Sequence, residues 1–357
     1  MVLNKESEYY SCSMINDFHL NFKGRLDTKN EVVALCCGNA DGLPKVALGK
    51  TGQETIENFI KMRETSILEG YPHRKLFEKK FTESCSKCPN YILDRWQNAG
   101  LIHHVNFSMY PAPCQCKCIY CPVRKNGSVR QVKAEKFDEK AVEESYYIMF
   151  DAVDYAQKIK LIAPNASWQI ASGEIAIHPY KDRILNLVRN KSATFFTNCF
   201  IYDEDINTIL KTNSNSKIHL SIDAGTPKTW RKVKGFDNFN DIIDNLENYC
   251  KNSQPNQIIL KYIILPSIND KYEDFSSVIE LMKTFNIETL KLARDVTKRY
   301  ISSSDEQRKK LIKAASYFVA MLHKNNLQAE MPTYTHYEQK AIIKYANELH
   351  KFKIMDF

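Results

Sequence analysis

From residue 138 onward, segments of helical period alternate with short runs of strand period, and this alternation limits the possible folds more than any other feature of the chain. Residues 138–159 place apolar side chains on one helical face, with Asp138 positioned as the N-cap. Strand signals then follow at 168–171, 193–197, 217–222, 257–265 and 289–293, separated by helical signals at 180–189, 203–211, 238–251 and 274–285. With residues 104–109 in front, six strands are separated by helices. Such an order predicts parallel pairing and right-handed crossovers, so the fold class is α/β, an open sheet or a full or partial barrel. In each of these, reactive side chains gather at the C-terminal ends of the strands.

The first hundred residues read differently. They look loop-rich, with glycines at 24, 38, 42, 49 and 52 and cysteines at 12, 36, 37, 85 and 88. The end differs again, with strong helices at 305–324 (capped by Ser304 or Asp305) and 335–349 and room for a short strand between them. Three parts are expected: a small cysteine-rich module at 1–100, a barrel-type domain at 101–300 and a helical extension at 301–357.

Composition excludes several classes. At 43% hydrophobic residues, 357 positions supply enough apolar material for a core, which rules out wholesale disorder. No apolar run reaches the roughly 18 residues of a membrane span, and MVLNKESEYYSC has no apolar signal core, so the expected location is cytoplasmic with no membrane partner. A net charge of +8 without a dense basic arm argues against nucleic acid as a partner; the basic run 308–313 reads as the solvated face of a helix.

Eleven cysteines, an odd number without a secretory signal, point to metal or redox chemistry rather than a disulfide framework. Four of them, Cys114, Cys116, Cys118 and Cys121, fall within eight residues just after the first barrel-type strand. Three thiolates on one short loop can hold three irons of a cubane cluster and leave the fourth iron open. Zinc is the alternative, although four thiols this close together make a poor tetrahedron.

The spacing Cys114-x3-Cys118-x2-Cys121, with Tyr120 before the last cysteine, resembles the signature of radical S-adenosylmethionine (SAM) enzymes. Later strand ends resemble the same family in order. Ala171-Ser172-Gly173-Glu174 resembles its Gly-Glu motif for the methionine amino group. Thr197-Asn198 resembles a recurrent Thr-Asn-Gly turn, with Cys199 in place of the glycine. Ser221-Ile222-Asp223 resembles the strand that contacts the ribose, and the strand carrying Lys261 resembles the one beside adenine. The resemblance implies a partial (β/α)6 TIM-type barrel. It also implies a 4Fe–4S cluster on Cys114, Cys118 and Cys121, and SAM held by Tyr120, Ser172, Gly173, Glu174, Ser221, Asp223 and Lys261. The implied chemistry is reductive cleavage of SAM to a 5′-deoxyadenosyl radical that takes a hydrogen atom from a substrate. A one-electron reductant such as flavodoxin or ferredoxin is the implied partner. Cys116 stands outside the ligand set, and the basic residues of 226–235 read as an ordinary helix entry without a separate role.

The N-terminal segments 33–39, 46–50, 55–59 and 83–89 resemble a SPASM domain, an auxiliary-cluster module that ordinarily follows the barrel. The resemblance implies an auxiliary 4Fe–4S cluster on Cys12, Cys85, Cys88 and one of Cys36 or Cys37, with Cys37 preferred; zinc is the alternative occupant. Cys199, at a strand end, is a candidate hydrogen-atom donor to a substrate radical, against the plainer role of a buried space-filling thiol. A peptide or protein being matured is the expected substrate. The alternatives are a sugar or small metabolite, and, in another class, a non-catalytic iron–sulfur or zinc interaction protein.

Overall fold

The computed structural model describes residues 10–12, 19–25, 32–34, 45–68, 91–93, 100–110, 113–121, 124–125, 128–129, 139–171, 173–254, 256–295 and 305–352. The chain divides into two compact units, Met1–Ala112 with Val132–Ser172, and Pro113–Gln131 with Gly173–Phe357.

The first unit contains β1 (His19–Arg25), β2 (Val32–Ala34), β3 (Lys45–Ala47), α1 (Gly52–Leu68), β4 (Ile102–Tyr110), α2 (Glu139–Lys158) and β5 (Ile162–Ile170). Strand β4 lies parallel to both β1 and β5, and β2 and β3 continue from β1 in antiparallel pairing. Alternation along these strands sorts side chains between two faces. Leu20, Phe22, Val105, Phe107, Trp168 and Ile170 are all buried. Phe107 stacks on Phe22 at 5.6 Å and on Trp168 at 6.1 Å, a cross-strand aromatic row. The intervening positions are polar, and there the His19 and His104 rings lie 4.4 Å apart.

Strand β5 begins at Ile162 rather than at the expected 168. Its register against β4 shifts between Ile102 and His104, leaving Pro164 and Asn165 exposed, and this irregularity hides the early part of the strand from a periodicity reading.

The expectation of a loop-rich first hundred residues is corrected by α1 and by strands β1 to β3. The helix start was written in Thr51-x-x-Glu54: the Thr51 hydroxyl accepts from Glu54 N at 3.1 Å, and Glu54 accepts from Lys50 N at 2.7 Å. Tyr10–Cys12 forms a separate antiparallel strand pair with Tyr91–Leu93. The side chain of Cys12, together with Cys36, Cys37, Cys85, Cys88, Asp138, Ser172 and Ser304, lies outside the described residues.

The second unit contains α3 (Lys181–Val188), β6 (Ala193–Thr197), α4 (Glu204–Thr212), β7 (Lys217–Ser221), α5 (Pro227–Lys234) and α6 (Phe239–Cys250). There follow β8 (Ile258–Ile264), α7 (Tyr272–Thr284), β9 (Thr289–Arg294), α8 (Asp305–Lys324), β10 (Gln328–Glu330) and α9 (His336–Phe352). Strands β6 to β10 pair in sequence order, all parallel, as the alternating pattern predicts. Every residue of β8 except Lys261 is buried, the continuous apolar run expected of a central parallel strand. Phe275 and Phe318 stack at 4.0 Å, with Tyr262 edge-on to Phe318. At the end of the chain, Glu338 binds Arg294 and Arg308 and accepts from Thr335 N, which caps α9. The short strand expected near 325–335 is β10. Among the described residues, no helix is long and apolar enough to cross a membrane.

Gly52 opens α1 where it meets α2. Its N–H donates to Asp151 at 2.8 Å, and a Cβ there would lie 2.1 Å from Ala152 N. Gly52→Ala is therefore expected to destabilise the protein by about 1–3 kcal/mol, the range for overpacking. Urea unfolding checks this; an unchanged midpoint would show that α1 and α2 do not pack this way.

Candidate functional site

The loop from Pro113 to Cys121 carries four thiols and is held from several sides. Lys117 N donates to Lys234 O at 2.8 Å and Ile119 N to Val233 O at 3.0 Å, so the loop runs against the last turn of α5. Ile119 and Tyr120 pack on Val233, Ile263, Leu265 and Ala293. The close approach depends on Gly235, whose φ of +79° ends α5 in the left-handed region and whose Cβ, if present, would meet Lys117 Cβ at 2.7 Å.

Tyr120 is fixed by a buried charge network. The Asp223 carboxylate accepts from the Lys234 ammonium at 2.5 Å, from the Tyr120 hydroxyl, and from Ile263 N at 2.6 Å. Lys234 also donates to the Tyr120 oxygen at 2.9 Å. Asp223 and Lys234 are both essentially inaccessible to solvent. Burial opposes the charge on Asp223, but Lys234, Lys261 and the donated hydrogen bonds outweigh it and hold the carboxyl below its ordinary range. Sequence reasoning missed Lys234, treating it as part of a solvated basic helix entry. The signal was its helical phase: Trp230, Val233 and Lys234 share one buried face of α5.

The thiols differ in exposure. Cys114 is exposed, Cys118 and Cys121 are half-buried, and Cys116 is buried. The Cys116 thiol hydrogen-bonds with Cys114 and Cys118; it keeps its own proton and lowers the pKa of both partners, bringing Cys118 down to about 6. Cys121 N donates to Cys118 O at 3.1 Å, which closes the loop as a turn. Among the described residues, no group of three His, Cys, Asp or Glu side chains is already gathered in a metal-binding arrangement. The donor set nonetheless fits an iron–sulfur cluster: three soft sulfur donors on one short loop, two of them readily ionised.

A second buried carboxylate stands beside this loop. Glu174 N donates to Pro113 O at 2.8 Å, and the Glu174 side chain accepts from the Thr197 hydroxyl at 2.8 Å, Asn198 N at 2.8 Å and Ala176 N at 3.4 Å. Burial raises its pKa to about 7, and among the described residues no cation stands beside it to offset the cost. A buried carboxylate without a cationic partner fits the amino group of a bound amino-acid ligand.

Gly173 precedes it with φ +59°. Ser221 ends β7 beside Lys261 of β8, and burial depresses the Lys261 ammonium. Cys199 is fully buried with φ +59°, a left-handed position that costs a non-glycine residue roughly 1–2 kcal/mol. Its N–H donates to the Thr197 hydroxyl and its carbonyl accepts from Asn245, so the turn after β6 is held without the expected glycine. The structure thus brings Cys114, Cys118, Cys121, Tyr120, Glu174, Asp223 and Lys261 into one unit.

Residues 113–282 match the family model described as the Radical SAM superfamily. The match covers just under half of the chain, and it implies an enzyme that uses radical chemistry. No curated protein matches the chain. Among solved structures, SuiB of Streptococcus suis bound to precursor peptide SuiA is 14% identical, with 90% of this chain and 73% of that chain covered and a TM-score of 0.46. The FeFe-hydrogenase maturase HydG from Carboxydothermus hydrogenoformans is 14% identical over 69% of this chain and 57% of that one, with a TM-score of 0.39. A radical SAM methyltransferase from Sphaerobacter thermophilus is 13% identical over 52% and 56%, with a TM-score of 0.36. At these values the likenesses assign no substrate.

Two predictions follow from the buried carboxylates. Because Glu174 holds its proton more tightly folded than unfolded, the folded state binds more protons between pH 4.5 and 7, and stability falls as pH rises through that window. Relative to Glu174→Gln, the metal-free wild type should lose about 3 kcal/mol across it, read from urea midpoints at each pH. Parallel profiles would show that Glu174 is not buried unpaired. Lys234→Ala leaves Asp223 buried without its cation and should cost about 3–5 kcal/mol at pH 7 in the same assay.

Proposed function

We propose that the chain binds a 4Fe–4S cluster through Cys114, Cys118 and Cys121 and binds SAM beside it, and that its substrate is a peptide or protein undergoing maturation. The observation that carries the cofactor reading is the pairing of a fixed thiol loop with the unpaired carboxylate of Glu174, joined by the Glu174 N to Pro113 O hydrogen bond. Bound there, the cluster and SAM would supply radical chemistry for taking a hydrogen atom from the substrate.

The protein's own work is positional. Lys234, Asp223 and Tyr120 hold the loop between its second and third ligands. Glu174 offers both carboxylate oxygens to a cationic amino group, and Thr197 and Asn198 hold it in place. Lys261 and Ser221, neighbours on β8 and β7, would contact the nucleoside, with Gly173 at the amino-acid end, where the sequence resemblance also assigns Ser172. Asp223 has its carboxylate engaged by protein donors, so its part in SAM binding is to place Tyr120 and the β7 end. Cys199, fully buried behind the turn after β6, fits the packing role better than that of hydrogen-atom donor.

The peptide reading rests on the resemblance of segments 33–39, 46–50, 55–59 and 83–89 to a SPASM domain, which carries with it an auxiliary cluster on Cys12, Cys37, Cys85 and Cys88. Flavodoxin or ferredoxin would supply the electron, and the cytoplasm, where thiols stay reduced, is the compartment such clusters need.

Reductive cleavage of SAM tests the reading. With dithionite, the anaerobically reconstituted wild type should release 5′-deoxyadenosine and methionine; Cys118→Ala should release neither, and Cys88→Ala should retain uncoupled cleavage. Cleavage by Cys118→Ala at the wild-type rate would remove the cluster assignment. Loss of cleavage in Cys88→Ala with the same irons missing as in Cys118→Ala would remove the two-cluster assignment.

A further inference from the structure

Asn198 occupies the turn after β6, between the two halves of the site. Its backbone N–H donates to Glu174 Oε2 at 2.8 Å, and its side-chain Nδ2 lies 3.5 Å from Cys114 Sγ in donor geometry. The orientation of the amide is set by the surrounding donors. Oδ1 accepts from Phe200 N at 2.9 Å and from Gln115 Nε2 at 3.5 Å. Turning the amide over would bring its NH2 against the Phe200 N–H and leave that donor unpaired, so the Nδ2 hydrogens face the sulfur. Asn198 is 8% exposed, which keeps water from replacing the bond. Cys114 is the most open of the four thiols of the loop, and this amide adds a donor from the end of β6 to those that Cys116 already supplies.

A hydrogen bond to a cluster thiolate is not neutral with respect to oxidation state. Each electron added to an iron–sulfur cluster increases the negative charge on its sulfur ligands. A donor at the sulfur therefore stabilises the reduced form more than the oxidised form and raises the reduction potential. The same residue orients the carboxylate offered to SAM. One turn thereby couples the position of Glu174 to the electronic environment of Cys114.

We propose that Asn198 is a positioning residue that donates its side-chain N–H to the Cys114 thiolate and raises the potential of the cluster bound there. This rests on the cluster assignment given above. The residue contributes no atom to the reaction; it acts through Cys114 and Glu174.

The test uses the full chain, anaerobically reconstituted and without SAM, as wild type, Asn198→Asp and Asn198→Ser. Asp keeps an acceptor for Phe200 N but offers no amide hydrogen to the sulfur. Ser is uncharged and too short to reach it. Iron per chain, the midpoint potential from redox-titrated electron paramagnetic resonance, and the coupling of exchangeable deuterons in D2O are measured for each. With about four irons in the Cys114 cluster of each chain, both variants should be roughly tenfold harder to reduce, a potential about 59 mV more negative for one electron. Because Cys116 also donates to Cys114, the wild type should show more than one strongly coupled deuteron, and one of them should disappear in both variants.

A fall in Asn198→Asp alone would be the effect of an added charge and would overturn the proposal. So would unchanged potentials, or a set of coupled deuterons identical to that of the wild type. A wild type whose iron content is no higher than that of the Cys114/Cys118/Cys121 triple alanine variant overturns the cluster assignment itself, and that comparison distinguishes this failure from the others. If Asn198→Asp takes up no iron while the wild type does, the Asn198→Ser potential and deuteron signal decide the matter by the same criteria.

Discussion

The buried carboxylate of Asp223 is the constraint on which the candidate site depends. It lies just past the end of β7 with φ +45°, in a left-handed turn, where its two oxygens take donors from three parts of the second unit: α5 through Lys234, the cysteine loop through Tyr120, and β8 through Ile263 N. Asn269 closes the same turn, donating to Asp223 O at 2.9 Å and to Ile263 O at 2.8 Å. An ion pair sealed from water in this way is weak evidence for added stability, because the desolvation of both charges offsets most of their attraction. Its value is geometric. Removing either partner leaves a bare buried charge, so only one arrangement of loop, helix and strand is tolerated.

Glu174 shows the opposite economy. Three donors orient it, but among the described residues no cation neutralises it, and burial raises its pKa to about 7. An acid held near neutrality in a sealed position is costly when empty and gains most when a cationic group arrives. The two carboxylates thus divide the work: one is saturated and holds the loop, the other is left unpaired and is available to a ligand. Thr197 and Asn198 at the end of β6 serve the second carboxylate, which explains why that short turn keeps its conformation although a cysteine stands in the left-handed position.

Much of this was legible in the sequence because the parallel core is written in long apolar runs between capped helices. β6 occupies 193–197 as expected, β8 lies within its expected bounds, and α8 covers 305–324. What escaped did so for physical reasons. The bulge beside Pro164 and Asn165 masks the first half of β5. α1 was obscured by the glycines and cysteines that surround it, although its Thr51–Glu54 cap was present. Lys234 is a charged residue in a run of charged residues, and only its phase with Trp230 and Val233 distinguishes it from Arg231 and Lys232, which face solvent. The role of Asn198 toward Cys114 depends on an amide orientation set by Phe200 N and Gln115, which no spacing in the sequence encodes. The N-terminal cysteines 36, 37, 85 and 88 fall outside the described residues, so their ligand set remains a sequence-level expectation.

The central claim is that the Cys114–Cys121 loop holds one cluster and the N-terminal cysteines another. Iron and sulfide content with Mössbauer spectra, measured after anaerobic reconstitution of the wild type and of the Cys114/Cys118/Cys121 triple alanine variant, tests it most directly. The account predicts about eight irons per chain falling to about four, with the cubane signature retained in the variant. About four falling to none, with zinc retained, would contradict the second cluster, and an iron content unaffected by the triple substitution would contradict the first.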